Sequence, residues 1–211
     1  MRTLAVLVGA FLLLAGAASA ATTPTETKWI DKADGFSVIL PAKWYPVPRT
    51  VTAVTQTIAA LKKQKKTDLA TAYSFYLTAR GKTELKAYVF QAFYFNGPTM
   101  DPVPIDVSIQ VVPSKTAYKP ADLIAAGKAY ANQLASNKGA KITVPALIKL
   151  PEGQAEFITG TVPNGGNVST GLELYLLVHG NRLYALSFKI DAAVLSQAKI
   201  FRSIAENFRF V

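Results

Sequence analysis

The stretch Asp34-Gly35-Phe36-Ser37-Val38-Ile39-Leu40-Pro41-Ala42-Lys43-Trp44 constrains the fold more than any other in the chain. Asp34-Gly35 is a turn signal. Phe36, Val38 and Leu40 alternate with Ser37 and Ile39, the two-residue period of a strand. Pro41 ends that strand because it has no N–H to give to a ladder. Trp44 follows as a large apolar anchor whose indole N–H wants a partner when buried. Upstream, Lys28-Trp29-Ile30-Asp31 reads as a short strand, turned back by Lys32-Ala33-Asp34-Gly35. Downstream, the prolines of Trp44-Tyr45-Pro46-Val47-Pro48 hold the chain extended. Gly35, Phe36, Pro41, Trp44 and, near the other end, Phe208 are the structural anchors expected from this pattern.

With 211 residues and 50% hydrophobic content, the chain can bury one sizeable core. Its first twenty residues do not belong to that core. Arg2 precedes an apolar run from Leu4 to Ala17, and Ala18-Ser19-Ala20 fits a small-x-small cleavage site. The run is short for a bilayer span of about 20 residues, so residues 1–20 read as a signal peptide and the exported chain begins at Ala21. No Cys follows Leu14-Ala15-Gly16, and a lipid-anchored lipoprotein needs that thiol. The expected location is therefore secreted or extracytoplasmic, in a periplasm or cell wall, with no transmembrane anchor after cleavage.

Residues 21–27 are polar and Thr-rich, a flexible lead-in by composition. The rest, residues 28–211, reads as a single domain. The complete absence of Cys excludes disulfides, thiolate catalysis and Cys-based metal sites. Losing Arg2 takes the formal charge from +10 to about +9, which favours anionic partners.

Beyond Pro48 the period changes. Val51, Val54, Ile58 and Leu61 form one helix face, which runs into Lys62-Lys63-Gln64-Lys65-Lys66. Thr67 reads as the cap of a second helix, with Asp68 in its first turn, Leu69, Ala72, Tyr73, Tyr76 and Leu77 on its apolar face, and Gly81 as its stop. Residues 84–95 then read as a strand apolar on both sides, hence covered on both sides. Asn96-Gly97-Pro98 breaks it. Val103 to Val112 is a further strand whose polar face, Asp106, Ser108 and Gln110, places it nearer an edge or a thin cover. Pro120 opens a helix with Leu123, Gly127, Tyr130 and Leu134 on its buried face; Gly127 there suggests close approach to a sheet. Strand-like segments follow at 142–149 and 153–162. The loop Pro163-Asn164-Gly165-Gly166-Asn167 comes next, then a hairpin of 172–178 and 183–190 around Gly180-Asn181. Asp191 reads as the cap of a last helix lined by Val194, Ala198, Phe201, Ala205 and Phe208.

Three of these stretches carry a resemblance. Gly35-Phe36-Ser37-Val38 to Pro41-x-x-Trp44, Asp106-Val107-Ser108-Ile109-Gln110-Val111 followed by a helix, and Arg182 to Phe188 leading to Phe201–Phe208 together resemble the PsbP/Mog1-like superfamily, in the guise of an exported bacterial member. The likeness spans residues 28 to 211 by element order. It implies an α+β fold in which an antiparallel β-sheet is sandwiched between helices (an α/β/α sandwich), with residues of about 50–80 as a helical insertion relative to photosystem members. Such an insertion resembles what exported actinobacterial relatives carry. It also implies a non-enzymatic binding or assembly role. No cofactor or subunit-docking motif of the photosystem members is carried over.

Chemistry is sparse. His179 is the sole histidine and flanks a turn, with no Ser or carboxylate beside it to complete a relay. Asp101 with Asp106, or Glu152 with Glu156, are the carboxylate pairs a glycosidase would need, though solvated charges are the simpler reading. Gly165-Gly166 lacks the residues of a phosphate loop, no calcium loop is present, and Asn167-Val168-Ser169 is a glycosylation sequon. No catalytic, cofactor or metal residue is assigned, and no cofactor is expected. Three readings remain. The first is an exported, non-enzymatic binding or assembly protein of the cell envelope, with an envelope protein or an anionic surface as partner. The second is a carrier of a small apolar or lipid ligand, in a cavity lined by residues such as Phe90 and Phe93. The third is a hydrolase using scattered carboxylates or His179. Lys62, Lys63, Lys65 and Lys66 are the candidate contact to an anionic surface; nucleic acid is disfavoured, since no aromatic residue interleaves the run.

Overall fold

A computed structural model describes residues 26–96, 105–163, 168–192 and 199–211. The leader, Asp101, Val103, Gly165, Gly166, the sequon residue Asn167, Val194 and Ala198 lie outside the described residues.

The opening hairpin pairs β1 (Glu26–Asp31) with β2 (Phe36–Pro41), Asp31 opposite Phe36. Its turn is tied from two sides. Asp31 Oδ1 accepts from the Ala33 and Asp34 amides at 3.1 and 3.0 Å, and Arg49 reaches both Asp31 and Asp34. Gly35 takes φ +72°, and a Cβ there would lie 3.1 Å from the Arg182 guanidinium, so both backbone and space demand glycine. Glu26 and Thr27 belong to β1, so the lead-in is shorter than composition suggests. β2 also pairs with β11 (Arg209–Phe210), closing a three-stranded sheet β1-β2-β11.

The main sheet is antiparallel. β3 (Trp44–Pro46), β4 (Phe90–Tyr94), β5 (Asp106–Pro113), β10 (Arg182–Asp191), β9 (Ser169–His179), β8 (Gly153–Pro163) and β6 (Lys141–Ile142) lie side by side in that order, with β7 (Ala146–Leu150) also on β8. β5 is therefore central, not an edge strand: it lies between β4 and β10. The β9–β10 hairpin turns at Gly180, φ +56°.

Between β3 and β4 the chain is helical from α1 (Val51–Lys63) through α2 (Thr67–Ser74), a single 3-10 turn (Phe75–Leu77) and α3 (Ala79–Ala87). Thr50 caps α1 by accepting from the Ala53 amide. Val54 and Ile58 are buried, while Val51 is exposed because it opens the helix beyond the core. Lys66, not Thr67, holds the cap position of α2. Gly81 does not stop a helix. It lies in the first turn of α3, where Thr78 Oγ1 accepts its N–H, and a Cβ there would fall 2.3 Å from the Phe75 carbonyl. Residues 84–87 are consequently helix, not strand, and Leu85 packs among Tyr73, Tyr76 and Phe93.

Cross-strand partners share a sheet face, so the register separates the two sides. Phe90, Ile109, Leu186, Tyr175 and Phe157 form one row, and Phe93, Asp106, Lys189, Leu172 and Gly160 another. The first row belongs to the main core, where the small sheet and α5 (Lys199–Glu206) bury Phe36, Trp44, Phe188, Phe201 and Phe208. The second row belongs to the opposite face. There α1–α3 cover the β4 end, and α4 (Pro120–Ala135) covers β8 and β9. Gly127 of α4 rests 3.1 Å (measured from a Cβ placed on it) from the Glu156 side chain, the close approach expected of it. Asp191 is the last residue of β10, and Val194 and Ala198, expected on the last helix, lie outside the described residues.

Candidate functional site

Two helical covers, α1–α3 and α4, lie on this face of the sheet. Between them a cleft of about 610 Å³ opens onto the middle of the sheet. α2, the 3-10 turn and α3 supply one wall, with Phe75, Tyr76, Arg80 and Glu84. α4 supplies the other, with Tyr130, Gln133 and Leu134. The floor is Phe93 of β4, Asp106 and Gln110 of β5, Ala185, Ser187 and Lys189 of β10, and Leu172 and Leu174 of β9. The polar face of β5 that resembles an edge is thus the floor of this cleft. Tyr130 ties wall to floor, its hydroxyl donating to Gln110 Oε1 at 3.3 Å.

The floor's electrostatics centre on Asp106 and Lys189, opposite each other across β5 and β10. Lys189 Nζ stands 3.8 Å from Asp106 Oδ1, beyond hydrogen-bond reach. The Asp106 side chain is 16% exposed and that of Lys189 29%. Burial pushes the Asp106 carboxyl up to about 6, against the opposing pull of Lys189 and Arg80 and with a further push from Glu84. Asp106 in turn holds the Lys189 ammonium above its ordinary value. Burial raises the Tyr76 phenol, and the Asp106 and Glu84 carboxylates add to it. Both cationic groups face rings: Arg80 of the wall lies over Phe75 and Lys189 of the floor over Tyr88, each at 6.0 Å.

Beneath this lies a row of buried polar groups. Gln91 of β4 pairs with Ser108 of β5, which pairs with Ser187 of β10. Ser108 is fully buried and Gln91 6% exposed. Ser108 Oγ, Gln91 Oε1 and Asp106 Oδ1 have no hydrogen-bond partner among the described residues. Unpaired buried polar atoms are costly, of order 1–3 kcal/mol each; of the three, Asp106 lines the cleft, while Ser108 and Gln91 are buried in the sheet beside it. In the sequence Asp106 stands out in the polar alternation with Ser108 and Gln110 and as half of a carboxylate pair, whereas no local pattern marks Lys189, Ser187 or Gln91.

The other sequence candidates fall elsewhere. Phe93 lines the cleft but Phe90 faces the opposite core, in tilted contact with Trp29. His179 stacks on Phe210 at 4.4 Å, at the end of β9. Glu152 and Glu156 do not share a face. Glu152 lies in the turn before β8, accepting the Phe210 amide and facing Arg209, whereas Glu156 is buried beneath Gly127, its carboxyl raised by burial. Lys62 and Lys66 do not share a helix, because α1 ends at Lys63 and Lys65 turns the chain with φ +60°; all four lysines are exposed. Among the described residues no three His, Asp or Glu side chains converge to hold a metal ion, and no helix is long and apolar enough to cross a membrane.

No family model and no curated protein sequence matches the chain. Solved structures do. Cyanobacterial PsbP (CyanoP) from Synechocystis sp. PCC 6803 superposes with a TM-score of 0.58 at 10% identity, covering 93% of this chain and 99% of that one. The fold is PsbP-like. A Bacteroides thetaiotaomicron VPI-5482 protein gives 0.52 at 12% identity, over 89% of this chain, which spans about half (49%) of that one. LpqN of Mycobacterium tuberculosis, described as involved in cell envelope biogenesis, gives 0.50 at 13% identity, covering 88% and 90%. The PsbP-like architecture and its α+β, mostly antiparallel sheet thus agree with the resemblance seen in the sequence.

Proposed function

We propose that this chain is an exported, non-enzymatic binding protein of the cell envelope, and that it works by holding a small apolar or amphiphilic ligand in the cleft between α1–α3 and α4. The cleft carries the proposal. Its volume lies in the range of ligand pockets, and aromatic and aliphatic side chains dominate its walls while a few polar groups converge at its base. The leader-like N-terminus supports export, and the likeness to LpqN supports an envelope setting. A hydrolytic reading is weaker. Lys189 stays protonated beside Asp106, which disqualifies it as the base for Ser187 or Ser108, and His179 is not among the cleft's lining residues. Solvent extraction of the natively exported protein, followed by mass spectrometry, should release one amphiphile in near-stoichiometric amount. A protein that yields no such molecule and whose melting temperature no added amphiphile raises would refute the proposal.

The exposed turn from Lys62 to Lys66 supports a second contact, with an anionic surface such as acidic lipid headgroups or wall polymers. Its four ammonium groups sit on a chain of formal net charge +10, about +9 without the leader, and each adds about 1 kcal/mol near an anionic membrane, screened by salt. Replacing all four with Gln should release the protein from anionic vesicles at low salt and leave its melting temperature nearly unchanged. Equal co-sedimentation with neutral and anionic vesicles would count against this contact.

A further inference from the structure

The floor of the cleft passes from apolar to charged within single cross-strand rows. Lys189 of β10 lies between Asp106 of β5 and Leu172 of β9, and the next lining residue of β10, Ser187, is paired with Leu174. An alkyl chain laid over Leu172 and Leu174 therefore brings its head group to Lys189 and Ser187. Four charged side chains line the cleft: Asp106 and Lys189 on the floor, Arg80 and Glu84 on the α3 wall. While all are ionised their formal charges cancel, and they offer an anion no net attraction. Their pairing is uneven, however. Arg80 Nε reaches Glu84 at 3.3 Å, whereas Lys189 Nζ stops 3.8 Å from Asp106, and its N–H donors meet no acceptor within hydrogen-bond reach among the described residues.

Asp106 is the member of the four whose charged form burial disfavours. The groups that act on it are Lys189 from β10 and Arg80 and Glu84 from α3; Tyr76 of the 3-10 turn lies near enough to feel its charge, and the apolar Phe93 is opposite it on β4. Once Asp106 takes up a proton the four carry a net positive charge, and Lys189, 29% exposed, is left with donors and no carboxylate to answer them.

We infer that the cleft takes an amphiphile with a singly charged anionic head group and takes it together with a proton: the head group pairs with Lys189, Asp106 holds the proton, and the alkyl chain lies on Leu172 and Leu174. This rests on the reading of the cleft as a ligand site. Protonated Asp106 favours the anion, so affinity rises as pH falls through about 6, the value to which burial brings this carboxyl. A neutral amphiphile of the same length brings no charge to Lys189 and shows no such dependence.

The test compares octane-1-sulfonate, ionised throughout the range, with octan-1-ol by calorimetric titration of the exported protein at pH 5 and pH 7.5. With Asp106 titrating at about 6, sulfonate binding should be roughly 30-fold weaker at the higher pH, the fall in the protonated fraction. At pH 7, binding enthalpies in buffers of different ionisation heat should show about one proton taken up with each sulfonate. Octan-1-ol should bind alike at both pH values. Asp106→Asn should bind the sulfonate at both with the affinity the parent has at pH 5. Sulfonate binding that is absent, or unchanged with pH, while octan-1-ol binds would overturn the inference and leave the cleft as a ligand site. The same pH dependence for octan-1-ol, or its persistence in Asp106→Asn, would also overturn it. Binding of neither compound at either pH would remove the cleft reading and this inference together. Should Asp106→Asn fail to fold, Lys189→Gln at pH 5 decides: lost sulfonate affinity with octan-1-ol affinity kept supports the inference, and unchanged sulfonate affinity overturns it.

Discussion

Trp44→Ala should cost the fold about 3–5 kcal/mol, the usual range for deleting a buried aromatic side chain. Trp44 is 3% exposed in the main core, its ring 6.1 Å from Tyr94 and 6.5 Å from Phe201. It begins β3, which is three residues long and, among the described residues, pairs only with β4. So short a strand is held by its side chains more than by its ladder, and Trp44 is the group that joins it to α5. Its Nε1 has no hydrogen-bond partner among the described residues, contrary to the expectation for a buried indole. Truncation therefore also removes an unsatisfied donor, which offsets part of the loss. Trp44→Phe keeps most of the apolar contact and discards the orphan N–H, so it should cost less than half as much as the alanine change. Urea unfolding of both variants measures this. An unchanged midpoint for Trp44→Ala would mean that the indole does not hold the β3 edge.

The fold was legible wherever a segment's period reports burial on one face. Phe36, Val38 and Leu40 announce β2, and Leu183, the partner of Val178, announces the β9–β10 hairpin around Gly180. Reading failed where two periods coincide. Leu85, Ala87 and Val89 alternate like a strand, yet Leu85 is on a helix whose cap, Thr78, and whose ion pair, Arg80 with Glu84, were present in the sequence as i,i+3 and i,i+4 spacings. Gly81 hid that helix, because a glycine after an apolar helix face reads as a stop, whereas here it allows the Phe75 backbone to approach.

The site was less legible, for a topological reason. Polar alternation in β5 tells which face lacks an apolar cover but not where the strand lies in its sheet, so Asp106, Ser108 and Gln110 suggested an edge or a thin cover, and it is the cover that is thin. Asp106 and Gln110 line a cleft over the middle of the sheet, between the two covers. Lys189 and Ser187 are some 80 residues from Asp106 and meet it only through the β5–β10 register. No local pattern encodes that pairing. The apolar-to-polar change along one face of β10, from Leu183 and Ala185 to Ser187 and Lys189, is the sequence trace of the same cleft.

Stability should fall as pH rises through the weakly acidic range, and Asp106 should be a main cause. Its carboxyl, raised by burial to about 6 from an unfolded value of about 4, binds its proton more tightly in the folded chain than in the unfolded one. A group of this kind contributes stability that is fully present below pH ~4 and is lost as pH rises through ~6. A shift of about two units corresponds to roughly 2–3 kcal/mol across that window. Burial raises the Glu156 and Glu173 carboxyls as well, so their contributions have the same sign. Lys189 limits the loss above pH 6 by pairing with the ionised carboxylate, though at 3.8 Å and without a hydrogen bond it does not cancel the cost of burial. Asp106→Asn removes the titrating group and keeps the shape. Urea unfolding from pH 4 to 7.5 should show the parent losing about 2–3 kcal/mol more than this variant over the interval. Lys189, left with a neutral neighbour and part of its stem exposed, can turn its ammonium towards solvent, so the variant should stay folded at neutral pH. Parallel profiles for parent and variant would show that Asp106 is solvated and ionised throughout, and that the floor of the cleft is wetter than its packing implies.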